Sequence, residues 1–182
     1  VLTQEADNLD QFPVPHLITA QRYSPARRLV NRVGRKATGE YPYYGAAMRR
    51  HGARLIHAHF GYQGCRCLRA RRQTGLPMIT TFYGADATSY ARVPRWRRHY
   101  DELFERGTLF LAEGSAMRRQ LLSLGCPADR LLVHHLGVDT ARIPFAEPAL
   151  DTAPRILLCG GFREKKGFDD GIRAIGVALQ SD

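Results

Sequence analysis

Acidic residues are nearly missing from the middle of this chain. From His16 to Arg98 only Glu40 and Asp86 stand against 17 Lys and Arg, a local net charge of +15. Residues 1–15 carry −3 and residues 99–182 carry −2, so the overall +10 resides almost wholly in that segment. A basic half attracts phosphate-bearing partners such as nucleic acid, anionic lipid head groups or a lipid-linked pyrophosphate. Lysine is scarce as well. Of the 27 basic residues 24 are Arg, and an arginine-rich solvated surface is the other reading of the same charge. No run approaches the ~18 apolar residues of a membrane span. No signal-peptide pattern opens the chain, which begins at Val1 rather than Met and reads as cut at both ends. The four cysteines (Cys65, Cys67, Cys126 and Cys159) form no Cys-x-x-Cys pair, which argues against structural zinc. Cys65 and Cys67 are too close for an easy mutual disulfide, so reduced thiols in a cytoplasmic protein are expected. Internal repeats and low-complexity tracts are absent.

What is present suits a globular α/β protein. A 44% hydrophobic content in 182 residues is enough to bury a core, with room for one domain or one domain plus part of another. Arg54–Ala58, Pro77–Phe82, Thr108–Ala112 and Leu131–His135 read as strands, and Ile156–Cys159 as a further buried one. Between them, Tyr62–Gln73 and Arg95–Arg106 read as helices ending at Gly75 and Gly107. A third helix is capped by Ser115 and closed by Gly125. Strand starts fall about 25 residues apart, the spacing of βαβ units, which predicts a parallel sheet with helices on its faces. Leu136–Pro154 holds Pro144, Pro148 and Pro154 and breaks the rhythm, as a linker would. Ser24-Pro25 predicts a helix start running to Arg35, weakened by Gly34.

In open α/β sheets ligands bind beyond the carboxyl ends of the strands. Here those ends carry Tyr83-Gly84-Ala85-Asp86, then Gly137-Val138-Asp139, then Gly160-Gly161-Phe162-Arg163-Glu164-Lys165-Lys166-Gly167. Three such ends predict one shared cleft. The last is a strand, a glycine turn with lysines and a helix start, an arrangement suited to a phosphate. Each residue also has a plainer reading: Asp86 and Asp139 as turn caps, Lys165 and Lys166 as a solvated pair. His57 and His59 share one strand face, but no carboxylate or third His lies near them in sequence, so packing of one and exposure of the other are expected rather than metal. His134 and His135 point to opposite faces and read as strand packing.

Ile56-His57-Ala58-His59-Phe60-Gly61 and Thr80-Thr81-Phe82-Tyr83-Gly84-Ala85-Asp86 resemble the N-terminal domain of a GT-B glycosyltransferase of family 4. So do Ala116–Leu121, Leu124-Gly125-Cys126-Pro127 and His135–Asp139, in the family's order and spacing. The flavour is that of bacterial exopolysaccharide enzymes, colanic-acid and amylovoran-like. Gly160–Gly167 resembles the opening motif of the family's second domain, with Gly161 where the family has Arg, and Tyr83 stands where it usually has His.

The resemblance, over about residues 54–178, implies an α/β GT-B fold. A Rossmann-like N-terminal domain would occupy residues 1–139 and a linker residues 140–154. Residues 155–182 would begin a nucleotide-sugar-binding domain. It implies a retaining, metal-independent transferase that moves a sugar from a nucleotide-diphosphate donor to a polysaccharide or lipid-linked acceptor. No cofactor is implied, the nucleotide sugar being substrate. Tyr83 and Asp86 would be catalytic, and His59, Gly84, Gly137 and Asp139 would line the cleft. Gly160, Gly161, Arg163 and Lys166 would receive the diphosphate. No residue up to Asp182 supplies the family's Glu-x7-Glu element, so the piece alone is expected to be inactive. A cytoplasmic location is expected, with peripheral contact at the inner membrane face through the basic half. The alternative is a non-catalytic basic module for nucleic acid or other polyanions. Against it, the chain lacks a helix-turn-helix spacing, an aromatic stacking set and a zinc pattern.

Overall fold

The computed structural model describes residues 1–3, 5–11, 13–147 and 155–180. The chain divides into two compact units, Val1–Gly137 and Val138–Asp182. In the first, β1 (Leu2–Thr3) and β2 (Ile18–Thr19) pair in parallel as a small separate sheet. Next come α1 (Pro25–Thr38) and α2 (Tyr44–Arg50). The helix predicted to end at Arg35 continues through Gly34 to Thr38. A Cβ on Gly34 would lie 2.6 Å from Pro42 Cγ, so the glycine that lowers helix propensity also permits the close packing that holds the helix. The sequence reading contained neither the two short strands nor α2. Tyr44, Ala47 and Met48 of α2 are buried together with Tyr41 and Tyr43.

The main sheet follows. It contains β3 (Ile56–His59), β4 (Met78–Phe82), β5 (Leu109–Ala112) and β6 (Leu131–Val133), side by side in that order and all parallel. Register runs from Ile56 opposite Met78, through Ile79 opposite Leu109, to Phe110 opposite Leu131. Parallel neighbours need crossovers, which α3 (Gly61–Thr74), α4 (Pro94–Arg106) and α5 (Ser115–Ser123) supply. This is the α/β, Rossmann-like arrangement expected. β4 is apolar or buried along nearly its whole length, as a strand covered on both faces must be. Met78, Phe82, Leu68, Tyr100, Leu103, Phe110, Leu121 and Leu131 form the centre of the core.

The helix ends follow local chemistry. α3 stops at Gly75, whose φ of 71° is left-handed. α4 begins on Pro94, where a missing N–H costs nothing. α5 ends in a Schellman arrangement: Gly125 at φ 87° donates to Leu122 O, and Cys126 donates to Leu121 O. Its start differs from expectation. Ser115 is the first helical residue rather than the cap, Gly114 holds the cap position, and no side-chain cap bond forms.

In the second unit Glu164–Lys166 forms a 3-10 turn leading to α6 (Phe168–Ala178). The strand predicted at Ile156–Cys159 does not form, and Ile156, Leu157 and Leu158 are exposed. A strand needs a neighbour for its backbone groups, and no other strand stands among the described residues of that unit. Of the expected linker, Thr140–Arg142 is a short 3-10 turn, and residues 148–154 lie outside the described residues.

Candidate active site

The polar groups of the first unit gather where β3 and β4 end. On β3, Ile56 and Ala58 face inward while His57 and His59 both face outward, rather than one packed and one free. Their rings lie 4.3 Å apart. His57 Nε2 shares a hydrogen bond of 2.8 Å with Thr81 Oγ1 on β4. Partial burial, then the like charges of His59 and His134, pull the His57 imidazole below its ordinary value. Among the described residues no three His, Cys, Asp or Glu converge as a ligand set. His134 and His135 are exposed, not packed, and His135 Nδ1 donates to Glu113 O at 2.8 Å.

Phe60 turns the chain from β3 into α3 at φ 75°, a strained value for a bulky residue, and its N–H donates to Thr81 O. Gly61 follows as the first residue of α3. A Cβ there would lie 2.3 Å from Phe82 Cε1 and 2.9 Å from the Tyr100 hydroxyl, so only glycine fits. Its amide donates to Asp86 Oδ2 at 2.9 Å. Asp86 Oδ1 accepts from the amides of Gly84 at 2.8 Å and Tyr83 at 3.1 Å. Tyr100 donates its hydroxyl to the Asp86 carbonyl at 2.6 Å, and burial pushes that phenol up, so it stays a donor.

Asp86 is therefore 1% exposed and bonded to three backbone amides. Its carboxylate occupies the positive N-terminus of α3, the place where an α/β protein can receive a phosphate. The catalytic role expected of Asp86 does not fit this geometry, because both oxygens are engaged and sealed from solvent. Asp86 thereby holds the Tyr83–Gly84 loop against the start of α3. Gly84 takes φ 142°, which few other residues tolerate. The Tyr83 ring lies edge to edge with His59, 5.8 Å between centroids and 8° between planes, and its hydroxyl shares a 2.5 Å hydrogen bond with His59 Nδ1. The Phe60 ring lies 4.9 Å from the Tyr83 ring, tilted by 58°. His59, Tyr83, Gly84 and Asp86 thus form one constellation. A groove of ≈ 790 Å³ runs along β3, with His57, His59 and Gln63 on its wall.

Gly137 is the last residue of the first unit. Asp139 belongs to the second, where it caps the following turn: Oδ1 accepts from Ala141 N at 3.2 Å, and Oδ2 pairs with Arg142 at 3.5 Å. Gly160, Gly161, Arg163 and Lys166 belong to one turn. A Cβ on Gly160 would lie 3.5 Å from the Phe168 ring and 4.0 Å from Lys166 Cδ, so the lysine stem folds back over that glycine. Lys166 N–H donates to Arg163 O and Gly167 N–H to Glu164 O, so these two amides serve the turn itself. Asp169 and Asp170 sit in the first turn of α6, and the adjoining hollow of ≈ 400 Å³ is lined by both signs of charge, including Arg163 and Arg173.

Parallel strands joined by crossover helices, with a polar, aromatic constellation at their carboxyl ends, define a Rossmann-like domain. The chain belongs to Glycosyltransferase Family 4, whose sequence profile matches residues 1–142. It is similar to the amylovoran biosynthesis glycosyltransferase AmsK of Erwinia amylovora, with 28% identity over 131 residues, covering 70% of this chain and 32% of the relative. It is also similar to WcaL of Escherichia coli (strain K12), a glycosyltransferase whose name assigns it provisionally to colanic acid biosynthesis. That match is 31% identical over 122 residues, covering 64% of this chain and 30% of the relative. The chain spans about a third of the length of the curated relatives it matches. Sequence reasoning missed Tyr100 and Phe60 as parts of the site. Phe60 stood in the Ile56–Gly61 stretch that carries the family resemblance, between a strand and a glycine that opens a helix, but nothing in its residue type pointed to the site.

Proposed function

We propose that this chain is part of a retaining glycosyltransferase that moves a sugar from a nucleotide-diphosphate donor to a hydroxyl of a growing polysaccharide or lipid-linked glycan. Family membership and the exopolysaccharide roles in the relatives' names support sugar transfer and a glycan acceptor. The observation that carries the reading is the His59–Tyr83 pair, nearly coplanar and hydrogen-bonded on a loop clamped by Asp86. In transfer, the bond from the sugar's C1 to the diphosphate oxygen breaks and its electron pair goes to that oxygen. The acceptor hydroxyl oxygen bonds C1, and its proton passes to the departing diphosphate. Tyr83 offers the sugar a hydroxyl held in one direction by His59, and a fixed polar group is worth most where charge develops. Arg163 and Lys166 supply positive charge for the departing diphosphate, and Gly161, beside which a Cβ would meet open space, lets it approach the backbone. No resident metal is assigned to this step, since these cations take that part. Residues 1–139 would serve the acceptor and residues 155–182 would open the donor domain, so activity belongs to the whole protein rather than to this piece.

The test is release of nucleoside diphosphate from a panel of nucleotide sugars by the whole protein. Lys166→Ala is expected to slow transfer by about 10²-fold, as removal of an oxyanion donor does. Tyr83→Phe is expected to slow it by about tenfold with an unchanged melting curve. Transfer within twofold of the native rate in both variants would overturn the reading.

A further inference from the structure

Helix α1 packs by its polar and small residues and turns its apolar ones outward. Asn31 is 8% exposed, Arg27 lies over the Tyr23 ring at 4.9 Å, and Gly34 abuts Pro42. Leu29, Val30 and Val33 are 58%, 66% and 58% exposed. At 3.6 residues per turn, Ala26, Leu29, Val30, Val33 and Ala37 fall within an arc of about 100°. Arg28, Arg32, Arg35 and Lys36 fall in the adjoining arc, and the helix contains no acid. A helix of a globular protein buries its apolar stripe, whereas this one buries an asparagine and exposes the stripe. An exposed apolar stripe edged by basic residues is the make-up of a helix that lies in a membrane interface.

We propose that α1 lays Leu29, Val30 and Val33 into the head-group boundary of an anionic lipid surface, while Arg28, Arg32, Arg35 and Lys36 engage lipid phosphates. Charge decides the partner. α1 carries five basic residues and no acid, within the segment His16–Arg98 of net +15, and an anionic surface attracts such charge. A second copy docking symmetrically would set this basic stripe against its like. The inference rests on the transferase reading only for its purpose, since a lipid-linked acceptor lies in that same plane.

Co-sedimentation of the full chain with vesicles tests it. Binding is expected to vesicles with roughly one-third phosphatidylglycerol and to be much weaker with phosphatidylcholine alone. At about fivefold per basic group, R28Q/R32Q/K36Q should lower partitioning by roughly 100-fold. L29Q/V33Q should lower it by about tenfold or more. Both variants are surface changes and should melt as the native chain does. Equal binding to neutral and anionic vesicles, full binding by L29Q/V33Q, or no vesicle binding by the native chain would each overturn the proposal. So would a dimer of the native chain that L29Q/V33Q dissolves. If the binding pattern holds while the whole protein transfers no sugar, the role of α1 stands and the transferase reading falls.

Discussion

Replacing Asp86 by Asn tests the clamp that builds the site. In the native chain Oδ1 takes the amides of Gly84 and Tyr83, and Oδ2 takes that of Gly61. Asparagine keeps the shape but exchanges one oxygen for an NH₂ group. In the better flip the remaining oxygen keeps Gly84 and Tyr83, and the NH₂ then meets the Gly61 N–H donor to donor. Leaving that buried amide unpaired costs about 1–3 kcal/mol. The two surviving bonds lose their charge assistance, which costs roughly a further 1 kcal/mol together. Negative charge also leaves the N-terminus of α3, at about 0.5 kcal/mol. The expected loss is about 2.5–4.5 kcal/mol, a large share of the ~5–15 kcal/mol that holds a domain. Trp96, the one tryptophan of the sequence, lies in the first unit and reports its unfolding. With a urea slope typical of small domains, the midpoint should fall by about 1–3 M and the slope should hold. A midpoint within about 0.3 M of native would refute the claim that these three amides depend on the carboxylate.

Gly61→Ala forces a methyl into the Phe82 ring at the same corner and should cost about 1–3 kcal/mol in the same urea assay, a neutral result showing that the corner has slack. His57, held below the ordinary imidazole value of 6.5, binds a proton less readily in the folded chain than in the unfolded one. Its contribution to stability is therefore whole above the unfolded value and fades as pH falls below it. An NMR titration should place its midpoint below 6.5, and His57→Gln should flatten the acid side of the stability curve; a midpoint at or above 6.5 contradicts the assignment. Cys67 and Cys126 are buried thiols, each pushed up to about 12, and Cys65 is raised as well, whereas Cys159 is exposed. A thiol reagent at neutral pH should modify Cys159 alone until the chain unfolds, and rapid labelling of Cys65, read by mass spectrometry, would count against the packing of α3.

The sheet was legible because period and punctuation agreed. The apolar runs at Ile56, Met78, Leu109 and Leu131 alternate with helical segments closed by Gly75, Gly107 and Gly125, and each became a parallel strand or a crossover helix. The run at Ile156–Cys159 has the same composition, but pairing is not a property of composition, and with no neighbouring strand among the described residues of its unit it is irregular. The two-residue strands β1 and β2 are too short to show a period. In the site, the glycines and Asp86 stood out as turn chemistry, yet the role of Asp86 was hidden. Its partner amide at Gly61 lies 25 positions earlier, and only folding brings the start of α3 beside the end of β4. The His59–Tyr83 pair is likewise a cross-strand contact between positions that the sequence presents separately. Gly34 misled in the opposite sense, since its propensity argued against a helix that its missing side chain lets pack.

In the proposed transfer, Tyr83 and His59 act as one unit upon the sugar. A double-mutant cycle on the transfer rate of the whole protein, with Tyr83→Phe, His59→Ala and both together, measures that directly. Each single change should slow transfer by about tenfold, and the double variant should be scarcely slower than the worse single one, a coupling of about 1 kcal/mol or more. Losses that simply multiply, or a single variant as fast as the native protein, would contradict it.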